Sequence, residues 1–371
     1  MTQGNAVRGR IIEKLEEKGW LSLADFMETC LYEPEIGYYE RGTFQVGRAG
    51  DFYTSVSVGP VFGELLASML VEMLETRLEG EITLLEAGAH DGSLARDILN
   101  HVRYYHPEFH RRCRYRILEP SPARRAAQQA TLQEHADSCE WESGWDDLSV
   151  FQGAVLCNEL LDAMPVRSFR WRGRGWAEQG VVLSAGGFQP EERDLSDGDL
   201  PGSPLFSRIG TEQPDLPEGF PIEVSESALG WWKSAAGKLE KGLLFTADYG
   251  YEDAEWLEGT FPEGTLRGYL NHRQVTDVLE HPGEMDLTAH VNFSDLAEVG
   301  EQVGLLTTEM DLQGQVLGRW LRSVETLGRG FPEWSPKRSR QLQTLVFPQF
   351  LGSKFRIMIQ TTKGLGVRKG T

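Results

Sequence analysis

The stretch Leu84-Leu85-Glu86-Ala87-Gly88-Ala89-His90-Asp91-Gly92-Ser93-Leu94 constrains this chain more than any other. A short apolar run ends in an acid, a glycine-bearing turn follows, and Ser93 opens a helical pattern with Leu94, Ile98, Leu99 and Val102 on one face. The next apolar run, Tyr115-Arg116-Ile117-Leu118, closes on a second acid, Glu119. This pattern predicts an α/β fold, Rossmann-like, with a mostly parallel doubly wound sheet. Such a sheet holds a nucleoside-containing cofactor at its strand ends.

The turn decides which cofactor. A dinucleotide fingerprint needs glycine at the first, third and sixth places, where this chain carries Gly88, His90 and Ser93. The spacing that remains, Glu86-x-Gly88-x-x-x-Gly92, is the looser form of sites for S-adenosylmethionine, which has no pyrophosphate to cradle. Gly88 and Gly92 would let the backbone approach the methionine part, and the following helix N-terminus would face its carboxylate. Glu119, with Pro120 after it, would accept hydrogen bonds from both ribose hydroxyls. Asp146, beside Trp145, could meet the adenine, although a surface loop explains it as well. An α/β turn with an incidental acid, or an NAD-dependent oxidoreductase, are the alternatives.

A net charge of −19 over 371 residues argues against nucleic acid as the main partner and suits a cationic one. An acidic surface kept for solubility explains the charge equally well. Cys30, Cys113, Cys139 and Cys157 show no C-x-x-C spacing, so reduced thiols and no metal site are expected. His101, His106 and His110 are separated by Pro107 and read as solvated side chains. No apolar run approaches a membrane span, and Met1-Thr2-Gln3-Gly4-Asn5 carries no leader-like pattern, so a cytoplasmic location is expected.

Along the chain, residues 1–80 read as an N-terminal helical cap and cofactor-covering loop. Ser22 and Asp25 form a capping box before Leu23, Phe26, Met27, Cys30 and Leu31. A glycine- and tyrosine-rich loop follows, and Pro60 opens a helix striped with Phe62, Leu65, Leu66, Met69, Leu70, Met73 and Leu74. Residues 81–165 and 241–371 read as the Rossmann-like core. Residues 166–240 read as an inserted subdomain, a hairpin turning at Arg172-Gly173-Arg174-Gly175 and then a lid. Ten acids against two arginines over 191–226 predict a solvated lid and not a packed element.

Asn158-Glu159-x-x-Asp162 follows the buried run Ala154-Val155-Leu156-Cys157, where carboxylates are costly unless paired or functional. They could orient a cationic nucleophile, or serve as the N-cap of a helix. Asp248 closes another apolar run, Leu243-Leu244-Phe245-Thr246-Ala247.

Eight ordered segments then carry a family resemblance. They are Gly37-Tyr38-Tyr39, Gly50-Asp51-Phe52-x-Thr54-Ser55, Phe62-Gly63-Glu64-Leu65-Leu66, the Glu86 turn, Asn158 through Val166, Ala247-Asp248-Tyr249-Gly250, Thr265 through Tyr269 and Asp286-Leu287-Thr288-Ala289. Over nearly its whole length the chain resembles the MidA-like methyltransferases. The resemblance implies a class I methyltransferase fold, S-adenosylmethionine as donor, and a protein arginine as acceptor, in the manner of the mitochondrial member that acts in respiratory complex I assembly. It also implies that Gly50, Thr54 and Ser55 lie over the cofactor. Two departures stand out. His90 falls within the family's Gly-Pro-Gly-x-Gly turn, and His290-Val291-Asn292-Phe293 replaces an Asp-x-Asp-Phe stretch.

The expected function is transfer of a sulfonium methyl to a side-chain nitrogen. Glu159 is the first catalytic candidate, with Asp162 and Asp248 second. Glu86, Gly88, Gly92, Glu119, Pro120, Asp146, Asn158, Gly50, Thr54 and Ser55 complete the cofactor site. A non-catalytic assembly factor that binds the cofactor is the rival from another class. The oligomeric state is open.

Overall fold

A computed structural model describes residues 3–40, 54–212, 215–270, 273–275, 277–328 and 330–365. They form two compact units, one of residues 1–52, 161–231 and 251–299, the other of 53–160, 232–250 and 300–371.

The second unit is the sheet foreseen from the Glu86 turn. Its strands are β1 (Ile82–Ala87), β2 (Cys113–Leu118), β3 (Cys139–Glu142), β4 (Phe151–Asn158), β5 (Leu239–Tyr251), β6 (Leu305–Leu312) and β7 (Phe355–Thr362). They lie in the order β3-β2-β1-β4-β5-β7-β6. All pairs from β3 to β5 are parallel, while β7 runs antiparallel to both β5 and β6. The order reverses between β1 and β4, and open α/β sheets bind ligands at the carboxyl ends flanking such a reversal.

Helix α1 (Val61–Leu74) is enclosed on nearly every side, with only Glu72 among its residues not buried. The sequence stripe marked one face, whereas packing covers the polar face too. There Glu64 takes a bidentate pair from Arg338, and Ser68 meets the imidazole of His101 at 3.0 Å. His101 is therefore a core histidine and not a solvated one, and burial lowers its pKa to about 3. Helix α2 (Ser93–Tyr105) follows β1, and α3 (Pro122–Thr131) follows β2, with Ser121 capping the Arg124 amide as its Ser-Pro start predicts.

The first unit joins segments that the sequence reading kept apart. Helices Gln3–Lys18 and Leu23–Tyr32 share a core with the 166–184 hairpin and with 279–289, through Val7, Ile11, Phe26, Met27, Val166, Val181, Met285 and Leu287. The division at residues 80, 165 and 240 differs from this because α1 packs into the sheet unit, while 251–299 joins the hairpin. The capping box of Ser22 and Asp25 and the turn at Arg172–Gly175 stand as read. The acidic segment does not. Gly187–Asp194 and Pro221–Val224 are strands of a five-stranded antiparallel sheet, and Leu205, Phe206, Phe220, Ile222 and Val224 are buried. Most of its described acids are exposed, as read, but the apolar residues between them pack, and Glu223 is buried. Glu223 accepts from the Thr265 and Leu266 amides, and Arg208 ties Asp253, Asp295 and Glu298 together.

All four cysteines are free and buried, and among the described residues no group of histidine, cysteine or acid side chains could hold a metal. No described helix is long and apolar enough to cross a membrane.

Candidate active site

The two loops that leave β1 and β4 meet at the sheet's reversal. Gly88 has φ +72° and Gly92 φ +82°, conformations that favour glycine, and a Cβ on Gly88 would sit 3.0 Å from Leu160 Cδ1. His90 adopts φ +46° with a side chain, so the residue that departs from the family's turn is held in a strained backbone region. Asp91, which sequence reasoning passed over, accepts from the Ser93 amide at 2.9 Å. Burial raises the Asp91 pKa, but the hydrogen bonds from His90 and Ser93 outweigh it and bring it down to about 2.

Glu86 and Glu119 stand on adjacent strands, Glu86 opposite Ile117 and Ala87 opposite Leu118. Glu119 is buried; its Oε1 accepts from the Ser121 amide and Arg124 Nε, both at 2.9 Å, and its Oε2 from Gln128 Nε2 at 3.2 Å. Pro120 is exposed. Asp146 is also exposed in the turn Trp145–Asp147, where its neighbour Asp147 accepts from the Ser143 amide.

Glu86 is 2% exposed, and among the described residues its polar partner is the Tyr115 hydroxyl, at 2.7 Å. Burial raises its pKa to about 7 against the Tyr115 bond, which lowers it. A carboxyl raised on folding binds more protons in the native state, so stability is greatest below the ordinary pKa and falls as pH climbs through about 7. Glu86→Gln is expected to remove that slope. Relative to the parent, the variant should gain on the order of 3 kcal/mol between pH 4.5 and 8. Urea melts of both proteins at those two pH values measure it, and parallel curves would show that Glu86 does not titrate in this range.

On the other side of the reversal, Glu159 has φ +51° and its amide donates to Ala247 O at 2.9 Å. Its Oε1 accepts from the Ser55 amide at 3.0 Å and from Asn158 Nδ2 at 3.1 Å. No helix follows β4, so the N-cap alternative fails: the carboxylate serves a loop a hundred residues upstream. Ser55 is buried and also donates to Gln313 Oε1 at 2.9 Å. Thr54 closes a tight turn with Ser57 through reciprocal bonds. Gly50 lies outside the described residues. Asp248 is fully buried, and its oxygens accept from the Leu160 and Tyr249 amides. It therefore pins the loop that carries Glu159. The structure brings together Ser55, Asn158, Glu159 and Asp248, and separately Gly92 and Glu119. Gln128 and Gln313 were missed, because a buried glutamine has no sequence signature.

Asp162 belongs to the first unit. There it is 7% exposed, near Tyr39, whose hydroxyl donates to the buried Asp286 at 2.7 Å and whose ring stacks on Tyr32. His290 and Asn292 also have structural reasons. Asn292 Oδ1 caps the helix Phe293–Gln302 through the Ser294 and Asp295 amides, while Nδ2 donates to Asp253 Oδ1. An aspartate would cap as well but would face Asp253 without a donor. His290 is half-buried and its pKa is held low, at about 4, first by desolvation and then by Arg267.

A sheet whose main path runs through seven strands with β7 antiparallel, a glycine turn after β1 and an acid after β2 define a class I methyltransferase. A cofactor fits the residues present: Asn158 Oδ1 is a buried acceptor with no partner among the described residues, beside a turn whose left-handed glycines pack closely on Leu160 and Leu132. A family described as putative S-adenosyl-L-methionine-dependent methyltransferase matches residues 65–310, and the chain belongs to it. It is similar to protein arginine methyltransferase NDUFAF7, mitochondrial, of Danio rerio, with 26% identity over 93% of this chain and 84% of that protein. The Rattus norvegicus counterpart is 27% identical over 93% and 82%. A solved structure from Burkholderia thailandensis bound to S-adenosyl-homocysteine superposes with a TM-score of 0.86 and 28% identity, covering 98% of this chain and 94% of that one. The protein is thus an S-adenosylmethionine-dependent methyltransferase, and the NAD and non-catalytic alternatives fall away. The cytoplasmic expectation is overturned as well. It rested on a short N-terminal stretch, whereas the curated relatives are named as mitochondrial proteins.

Proposed function

We propose that the protein methylates an arginine side chain of a protein acceptor, with a respiratory complex I subunit as the acceptor that the family resemblance implies. The observation that carries this reading is the near full-length match to relatives whose names specify protein arginine. The residues support it chemically. When bound, the cofactor supplies a methyl group made electrophilic by a sulfonium. Gly88, Gly92 and Asn158 would hold its amino-acid end and Glu119 its ribose. Glu159 would pair with the incoming guanidinium, orient one nitrogen, and stabilise the cation while that nitrogen sheds its proton. Asp248 would position Glu159 through the Leu160 amide.

The test is incubation of the purified protein and S-adenosylmethionine with a mitochondrial extract, followed by mass spectrometry of methylated peptides. One-carbon increments on arginine are expected. Increments confined to lysine, carboxylates or small molecules would overturn the acceptor assignment and leave the methyltransferase itself standing.

A further inference from the structure

We infer that Gln128 is a positioning residue for the cofactor: it locks the carboxylate of Glu119 to the turn after β1 and so sets how the ribose is held. The inference rests on the proposed role of Glu119.

Gln128 is fully buried on α3 and reaches three separate parts of the sheet unit. Its Nε2 donates to His90 O in the glycine turn at 3.0 Å and to Glu119 Oε2 at 3.2 Å, while its Oε1 accepts from Trp141 Nε1 at 2.9 Å. Two acceptors face the nitrogen and one donor faces the oxygen, so the network admits a single amide orientation. The helix also presses on the turn, since a Cβ on Gly92 would lie 3.5 Å from Gln128 Cα. Gln128 thus couples the amino-acid end of the site to the ribose end through side-chain bonds, beyond the β1–β2 ladder that ends at Ala87 and Leu118.

The same bonds bear on ribose recognition. An ionised carboxylate has about four acceptor positions. On Glu119, Ser121, Arg124 and Gln128 already take three. Room remains for one ribose hydroxyl, where the sequence alone suggested two. The carboxylate is aimed before the ligand arrives, and the ordering cost of binding falls accordingly.

The experiment uses the full chain and titration calorimetry with S-adenosylhomocysteine and its 2′-deoxy, 3′-deoxy and 2′,3′-dideoxy analogues. Gln128→Met, which keeps the volume and removes the amide, should bind S-adenosylhomocysteine about 10- to 100-fold more weakly, the range for a hydrogen bond to a charged group. Its affinity for the dideoxy analogue should match the parent's within about threefold, because that ligand makes no use of Glu119. In the parent, one monodeoxy analogue should bind nearly as well as S-adenosylhomocysteine and the other poorly. Equal weakening of every ligand by Gln128→Met would mean a merely structural role and would overturn the inference. If that variant does not fold, Trp141→Phe, which frees Gln128 Oε1, carries the same ligand comparison with a smaller loss. Glu119→Gln is measured alongside. A loss there with none in Gln128→Met sinks the coupling alone, while no loss in either sinks the ribose assignment on which it stands.

Discussion

Glu159→Gln should bind S-adenosylhomocysteine within about threefold of the parent while methyl transfer falls by roughly 10²- to 10³-fold, the range for removing one preorganised electrostatic group. The separation of the two effects follows from the contacts. Two donors reach the Glu159 side chain at one oxygen, Oε1: the Ser55 amide and Asn158 Nδ2. A glutamine carbonyl can accept both bonds, so the loop at β4 and the turn at Ser55 keep their shape. What disappears is the negative charge that would face a guanidinium. The left-handed φ of +51° supports a functional role, since a side chain persists there only when its surroundings hold it. Parallel calorimetry and initial rates on a methylated acceptor provide the check. Turnover equal to the parent's would remove Glu159 from the chemistry, and loss of both binding and turnover would make it a structural strut.

The second large effect concerns the sheet itself. Gly153→Ala is expected to destabilise the protein by more than about 3 kcal/mol, enough to prevent soluble expression. Gly153 lies in β4 with φ +147°, between β1 and β5, and a Cβ there would sit 1.8 Å from Thr83 O and 2.9 Å from Thr83 N. Those atoms are backbone of the neighbouring interior strand β1, and they cannot yield without breaking the β1–β4 ladder. Gly144→Ala serves as the control, because nothing lies within 4 Å of the Cβ that it would add. Its effect should stay within about 0.5 kcal/mol. Urea midpoints of the two variants measure the contrast, and a Gly153→Ala protein that unfolds at the parent's midpoint would refute the close approach.

Much of the local scaffold of the candidate site was legible in advance. The β1–turn–α2 unit and Glu119 after β2 were readable because they rest on neighbours a few residues apart, as do the Ser22 capping box and the Ser121-Pro122 start. The acidic segment 191–226 was misread because a charge count passes over the apolar side chains between the acids, and Leu205, Phe206, Phe220, Ile222 and Val224 are the residues that pack. Glu223 and Arg208 spend their hydrogen bonds on partners tens of residues away. His101 was misplaced for the same reason, its partner Ser68 lying on another helix.

The amino-acid order by itself determined the local geometry: strands from buried runs, helix starts from caps, and a glycine turn spaced for S-adenosylmethionine and not a dinucleotide. These depend on hydrogen bonds and periodicities of at most a few residues. Only the tertiary structure decided that the N-terminal helices share a core with the hairpin. It alone set Glu159 against Ser55 over 104 residues and paired Arg338 with Glu64 over 274. Contacts at that separation are selected by packing of the whole chain, which leaves no repeating trace in the sequence on either side.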